Sequence, residues 1–314
     1  MKRIIFGMLL VFCMVAQAQD NSVEGLNIGF SQIGSESGWR TAETQAVREE
    51  AEARGVNLLF SDAQQKQENQ IKALRSFIAQ GVDAILLAPV VESGWNQVLQ
   101  EAQDAEIPVV LLDRGVDADP SLYLTKVSSD FVKEGRLAGE WLAEQTDGTC
   151  NIVELQGTVG SSAAIDRQKG FAEAIAKFPE MQIIRSETGD FTRTGGKTVM
   201  ESFLKAEDPA NICAVFAHND DMALGGIQAI EEAGLKPSED IIVVSVDAVP
   251  DIFKAMADGK ANATVELDFR LGDPAFDAIA QYRAGEEVPK WVVSETKMYF
   301  PDTAAEEYAA RSGQ

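Results

Sequence analysis

Apolar residues in this chain fall into short runs that alternate with longer amphipathic stretches. The runs at 27–30, 57–61, 84–88 and 108–112 are rich in Ile, Leu, Val and Phe, as buried strands are. Each of the first three is followed by apolar positions at helical spacing, over 39–53, 67–80 and 94–105. Near-continuous apolar strands separated by helices predict a parallel sheet covered on both faces. A helix is expected at 130–144, with Asp130 placed to cap it.

A second series opens at Cys150. Strands at 151–155, 182–185, 212–217 and 241–246 alternate with helices near 163–177, 196–205, 221–233 and 250–257. Further strand signals stand at 263–267 and 291–300, with a helix at 274–283 between them. The repeat lies in topology, not in residues. The expected fold class is α/β, with two doubly wound parallel-sheet lobes. No Pro- or Ser-rich linker separates the series, which suggests a hinge of a few crossing strands.

The N-terminus bears on the compartment. Met1, Lys2 and Arg3 are followed by an apolar run to Val15, then by Ala16, Gln17 and Ala18. A positive start, a short apolar stretch and a small-x-small site predict a secretory signal peptide over 1–18. The apolar run is shorter than the ~20 residues a membrane span needs. Cys13 follows bulky Phe12, which argues against a lipidation site. The remainder of the 314-residue chain is long for one core, in keeping with two lobes. The balance is acidic, with 50 Asp plus Glu against 27 Lys plus Arg. That surface repels nucleic acid and anionic membranes. Beyond the signal, Cys150 and Cys213 are the only cysteines. Each opens a strand-like run, and first and third strands of a doubly wound lobe are neighbours. A Cys150–Cys213 disulfide is the expectation for a secreted chain; two buried free thiols are the alternative.

In open parallel sheets, ligands bind beyond the carboxyl ends of the strands. The residues there are Glu36, Trp39 and Arg40 after the first strand and Asp113 and Arg114 after the fourth. In the second series they are Arg167, Phe191, Asn219 and Asp247. Planar Asp, Asn and Arg side chains suit adjacent hydroxyls, which both donate and accept, and aromatic faces cover the C–H surface of a sugar ring. Each residue also has a plainer reading. Trp39 could staple its helix to the sheet, Asp113 and Arg114 could be a local ion pair, and Asn219 and Asp220 could cap the next helix. For Asp220 the cap is preferred. Asp166 reads as solvated or as a partner of Arg167, and Trp95, Trp141 and Trp291 as core. Catalytic signals are weak: His218 is the only histidine, and no nucleophile elbow, phosphate loop or metal-ligand spacing is present. No enzyme activity, cofactor or metal is expected.

At these strand ends the sequence resembles a known family. Leu112-Asp113-Arg114, the stretch 163–171 (AAIDRQKGF), 218–223 and Val246-Asp247 are similar to the ribose- and galactose-type periplasmic binding proteins. Ser128-Ser129-Asp130, with Gly135 and Ala138-Gly139, looks like their hinge and the first helix of their second lobe. The likeness spans nearly the whole chain after the signal. The stretches 34–40 (GSESGWR), 64–70 (QQKQENQ) and 189–193 (GDFTR) look like its galactofuranose-binding members. The resemblance implies that Trp39 stacks on the sugar and that Phe191 closes the other face. It implies that Arg40, Asp113, Arg114, Arg167, Asn219 and Asp247 bind hydroxyls. Arg40 stands where ribose-type proteins carry an aromatic, which argues for a more polar ring. Glu266 falls near a hinge position usually filled by Gln. The implied lobes are 19–128 with 268–295, and 129–267 with 296–314, joined by three crossings. The implied protein is a periplasmic monomer that hands a monosaccharide to an inner-membrane ABC permease. The rivals are delivery to a chemoreceptor or sensor kinase, another pentose or hexose, a sugar-responsive regulator lacking its DNA-binding headpiece, and a secreted hydrolase.

Overall fold

A computed structural model describes residues 22–313, so the expected signal peptide lies outside the described residues. The first half runs β1 (Asn27–Gln32), α1 (Gly38–Ala53), β2 (Asn57–Asp62), α2 (Gln67–Gln80), β3 (Ala84–Leu87), α3 (Asn96–Asp104), β4 (Val109–Leu112) and β5 (Thr125–Ser128). The second runs α4 (Phe131–Gln145), β6 (Thr149–Gln156), α5 (Ser162–Ile175), β7 (Glu180–Thr188), α6 (Arg193–Ala206), β8 (Ala214–Ala217), α7 (Asp220–Glu232), β9 (Ile242–Asp247), α8 (Pro250–Ala257) and β10 (Ala263–Glu266). The chain ends with α9 (Gly272–Arg283), β11 (Trp291–Val293), β12 (Met298–Tyr299) and α10 (Pro301–Arg311).

Two six-stranded sheets result, ordered β2-β1-β3-β4-β5-β11 and β7-β6-β8-β9-β10-β12. Every neighbouring pair is parallel except β10 with β12. Each sheet therefore has the doubly wound order 2-1-3-4-5, with one added edge strand. The chain passes between the sheets three times: after β5, after β10, and between β11 and β12. Inner strands β3, β4 and β8 are buried along their whole length, as strands packed on both faces must be.

Three elements depart from the sequence reading. β5 was not anticipated because its four residues, TKVS, carry more polar than apolar signal. α10 was not anticipated because only Ala304 of its eleven residues is fully buried, which leaves little apolar periodicity. The run 291–300 divides into two short strands in different sheets, so Trp291 is not core. It lies on edge strand β11, 40% exposed, with Nε1 donating to Ser128 Oγ and Lys126 Nζ over its ring. Trp141 is half-buried against Phe300, and Trp95 is fully buried with Nε1 donating to Val91 O.

Helices α4 and α5 approach backbone to backbone through glycines. A Cβ on Gly135 would stand 2.0 Å from Arg167 O, and one on Gly170 would stand 1.9 Å from Val132 O. That approach sets Glu134 of α4 against Arg167 of α5. Cys150 and Cys213 form a disulfide with a Cα–Cα distance of 5.4 Å, as expected for neighbouring strands.

Gly170→Ala is expected to lower the unfolding free energy by roughly 1–3 kcal/mol, because α4 and α5 must separate; urea unfolding measures it, and an unchanged midpoint contradicts the close approach. Replacing both cysteines by alanine is expected to cost about 2–5 kcal/mol in the same assay, since the bridge spans 63 residues.

Candidate functional site

The carboxyl ends of both sheets face each other across a small polar cavity. It is lined by Glu36, Ser37, Trp39, Arg40, Asp113, Arg114, Ala163, Arg167, Phe191, Asn219, Asp247 and Leu267. Each sheet offers an Asp at the end of its fourth strand: Asp113 just past β4 and Asp247 closing β9. Both have positive φ, 60° and 127°, as do Phe191 at 60° and Ala248 at 62°. Such backbone costs on the order of 1–3 kcal/mol per residue and clusters at binding sites. Ser37 caps α1 and sets its first turn, which carries Trp39 and Arg40. Trp39 Nε1 donates to Leu267 O, in the segment that crosses after β10, at 2.7 Å. Gly157, in the loop after β6, makes room for Phe191; a Cβ there would stand 1.9 Å from the Phe191 ring.

Buried carboxylates and carbonyls hold the three arginines. Arg40 donates to Glu36 at 3.2 Å, Glu43 at 2.7 Å and Asp113 at 2.5 Å. Arg167 donates to Glu134 at 2.8 Å and to His218 O at 2.6 Å. Arg114 donates to Val90 O at 3.0 Å and lies 4.9 Å from the Phe191 ring centroid. Several buried atoms of this set have no hydrogen-bond partner among the described residues. They are the acceptors Glu36 Oε2 and Asp113 Oδ1 and the donors Arg114 Nε and Arg167 Nη2. Leaving such groups unpaired is costly, so their convergence on one cavity marks a polar binding site.

Nine of the ten expected site residues line the cavity. Glu266 does not: its carboxylate accepts from Arg311 at 2.8 Å and Tyr299 at 3.2 Å, within the second half. Asn219 is both a cavity residue and a cap. Its Oδ1 accepts from Met222 N and its Nδ2 donates to Phe191 O, fixing the Phe191 backbone. Asp220 is not the cap expected from sequence. It accepts from Ser245 Oγ, Thr264 Oγ1 and Val249 N, and so braces the strained segment after β9. The partner of Arg167 is Glu134, not Asp166. His218 sits behind the cavity wall, fully buried between Glu154 and the Gly157 N–H. Sequence reasoning missed Glu43 and Glu134. Glu43 lies three residues after Arg40 on one helix, a legible spacing. Glu134 and Arg167 are 33 apart on different helices, with no local signal.

Burial dominates the electrostatics. It pushes the Asp247 carboxyl well above the ordinary range; Arg167 opposes this and Asp220 adds to it. Burial likewise raises Glu43 and Glu134 against the pull of Arg40 and Arg167. Burial would lower Arg40, but Asp113, Glu43 and Glu36 together hold it raised. Burial, followed by the neighbouring Arg40, pushes Arg114 down to about 10, still charged at neutral pH.

A polar cavity between two doubly wound lobes is the arrangement of a solute-binding protein. The periplasmic binding protein domain matches residues 28–287, and the chain belongs to that family. It is 61% identical over 286 residues to the galactofuranose-binding protein YtfQ of Escherichia coli K12, covering 90% of each chain. The crystal structure of a galactofuranose binding protein superposes with a TM-score of 0.90 at 60% identity, covering 92% of this chain and 99% of that one. The binding component of the arabinose ABC transporter from Shewanella sp. ANA-3, bound to α- and β-L-arabinofuranose, gives 0.90 at 59% identity, covering 92% and 96%.

Ionised, Asp247 offers acceptors only and balances Arg167; protonated, it does neither. Its raised pKa therefore predicts that ligand affinity falls as pH drops toward and through that raised value, earlier than for an ordinary aspartate. Asp247→Asn is expected to bind more weakly at neutral pH and to flatten this acid-side loss. Calorimetry from pH 8 to pH 5 checks it, and an equal slope in wild type and variant contradicts it.

Proposed function

We propose that the chain is the periplasmic sugar receptor of an ABC importer and that its ligand is a furanose, galactofuranose first. The observation that carries the reading is the composition of the cavity. Three arginines and three carboxyl groups line it, so potential charges of the two signs are equal in number. Its unpartnered donors and acceptors suit hydroxyls, which do both. A charged ligand would upset that balance, whereas a neutral polyol completes it. Trp39 and Phe191 supply apolar faces for ring carbons. The galactofuranose and arabinofuranose names of the relatives support a five-membered ring.

In this reading Glu36, Trp39, Arg40, Asp113 and Arg114 belong to one lobe, bounded at 19–128 and 268–295. Arg167, Phe191, Asn219 and Asp247 belong to the other, at 129–267 and 296–314. Sugar meets one lobe, and the second adds its contacts on closure, which shifts the equilibrium toward the closed form. The closed monomer is what the inner-membrane permease reads. The signal over 1–18 sends the chain to the periplasm and is cleaved there.

The purified chain is expected to be stabilised in thermal-shift and calorimetric titrations by galactofuranose, with arabinofuranose next and with ribose and galactopyranose weaker. Asp247→Ala and Arg167→Met are expected to weaken binding at least tenfold while keeping the far-ultraviolet dichroism of wild type. No response to any furanose overturns the assignment, and a preference for galactopyranose overturns the ring form.

A further inference from the structure

One acidic side chain joins the two lobes beside the cavity without lining it. Asp221, on α7, accepts from Gly38 N, the first residue of α1, at 2.7 Å. That N–H has no acceptor within its own helix, as is usual for a first helical residue, and the cap Ser37 Oγ is taken by Arg40 N. Asp221 is 7% exposed, and the positive end of the α1 dipole favours its charge. Its other oxygen faces Arg193 at 3.2 Å, and Arg193 in turn donates to Asp251 at 2.9 Å, so the carboxylate is held from behind. The next two residues after Gly38 are Trp39 and Arg40, which do line the cavity. Three other hydrogen bonds join the lobes among the described residues, from Gly115 N to Ser162 Oγ, from Glu92 N to Gly160 O and from Trp39 Nε1 to Leu267 O at the crossing after β10, and all three are neutral.

Resting on the sugar-receptor reading above, we propose that Asp221 is a positioning residue for ligand capture. It latches the start of α1 to the second lobe and so fixes the closed placement of Trp39 and Arg40. The latch exists only when the lobes meet, so it contributes to affinity through closure and is indifferent to which sugar is bound.

The test compares wild type, Asp221→Ala, Asp221→Asn, Gly38→Pro and the Asp221→Ala/Gly38→Pro double variant, titrated with galactofuranose and arabinofuranose. Proline is tolerated at a first helical position; there it removes the donor N–H and puts a ring carbon against Asp221 Oδ2, so it breaks the latch from the other side. Asp221→Ala is expected to weaken both sugars by the same factor, roughly tenfold to a hundredfold, as for loss of a charge-assisted hydrogen bond. The loss is expected in the off-rate, and Asp221→Asn, which keeps an acceptor, is expected to recover part of it. The thermal midpoint without ligand is expected to stay that of wild type. Gly38→Pro is expected to weaken binding similarly, and the double variant no further than either single one. Unchanged affinity in Asp221→Ala, or losses that add in the double variant, overturn the latch while wild-type binding upholds the receptor. Absence of sugar binding by wild type overturns both.

Discussion

Three guanidinium groups are buried between the two lobes, and an unpaired buried charge is not tolerated. Much of the cleft follows from that constraint. Arg40 is ringed by Glu36, Glu43 and Asp113, of which Glu43 is on its own helix and Glu36 just before it. Arg167 is ringed by Glu134, the His218 carbonyl and, at 3.7 Å, Asp247. These partners fix each guanidinium in one orientation before any ligand arrives. A ligand then meets groups whose side-chain entropy has already been lost in folding, which is the usual origin of affinity in small polar sites.

The same constraint explains why the site needs two lobes. Neither sheet alone surrounds the cavity; each presents strand ends and helix starts on one side only. The halves are built alike, with an Asp in strained backbone at the end of the fourth strand of each sheet. In the second half Asp220 braces that strand end through Ser245, Thr264 and Val249. Glycine-mediated contact of α4 with α5 brings Glu134 to Arg167. The interior of the second lobe is thus arranged to hold Asp247 and Arg167 rigidly at its mouth.

Strand–helix alternation was legible because inner strands buried on both faces must be continuously apolar, as at 84–87 and 109–112. Site residues were legible because an open parallel sheet presents its ligand at strand ends, and at those ends this chain places Asp, Asn, Arg and aromatics. Apart from the Cys150–Cys213 bridge, contacts between elements distant in sequence were not legible. Glu134 looks like any helix-start carboxylate until α5 is laid against it. Asp220 and Asp221 are adjacent, and nothing local separates a brace for β9 from a contact with the opposite lobe. Glu266 shows the converse limit. Its position near the hinge suggested a ligand contact, but the two-residue strand β12 and helix α10 bring Tyr299 and Arg311 to it instead. α10 carries too little apolar pattern to be anticipated, and nothing in the strand signal at 291–300 shows that β12 joins the second sheet.

Selectivity for an uncharged ligand follows from how the arginines are already used. A site for an anion would leave guanidinium N–H groups facing the ligand in excess of nearby carboxylates. Here each of Arg40's three nitrogens already donates to a carboxylate, so its charge is matched before any ligand is bound. Among the described residues that line the cavity, the buried atoms without a partner are two donors, on Arg114 and Arg167, and two acceptors, on Glu36 and Asp113. Donors and acceptors in equal number call for groups that can play either part, and hydroxyls are the common neutral groups that do. A ligand lacking one of those hydroxyls leaves a buried group unpaired, a larger penalty than losing a surface hydrogen bond. The four atoms come from both halves of the chain, Glu36, Asp113 and Arg114 from the first and Arg167 from the second, so the halves must be together for all of them to face one ligand.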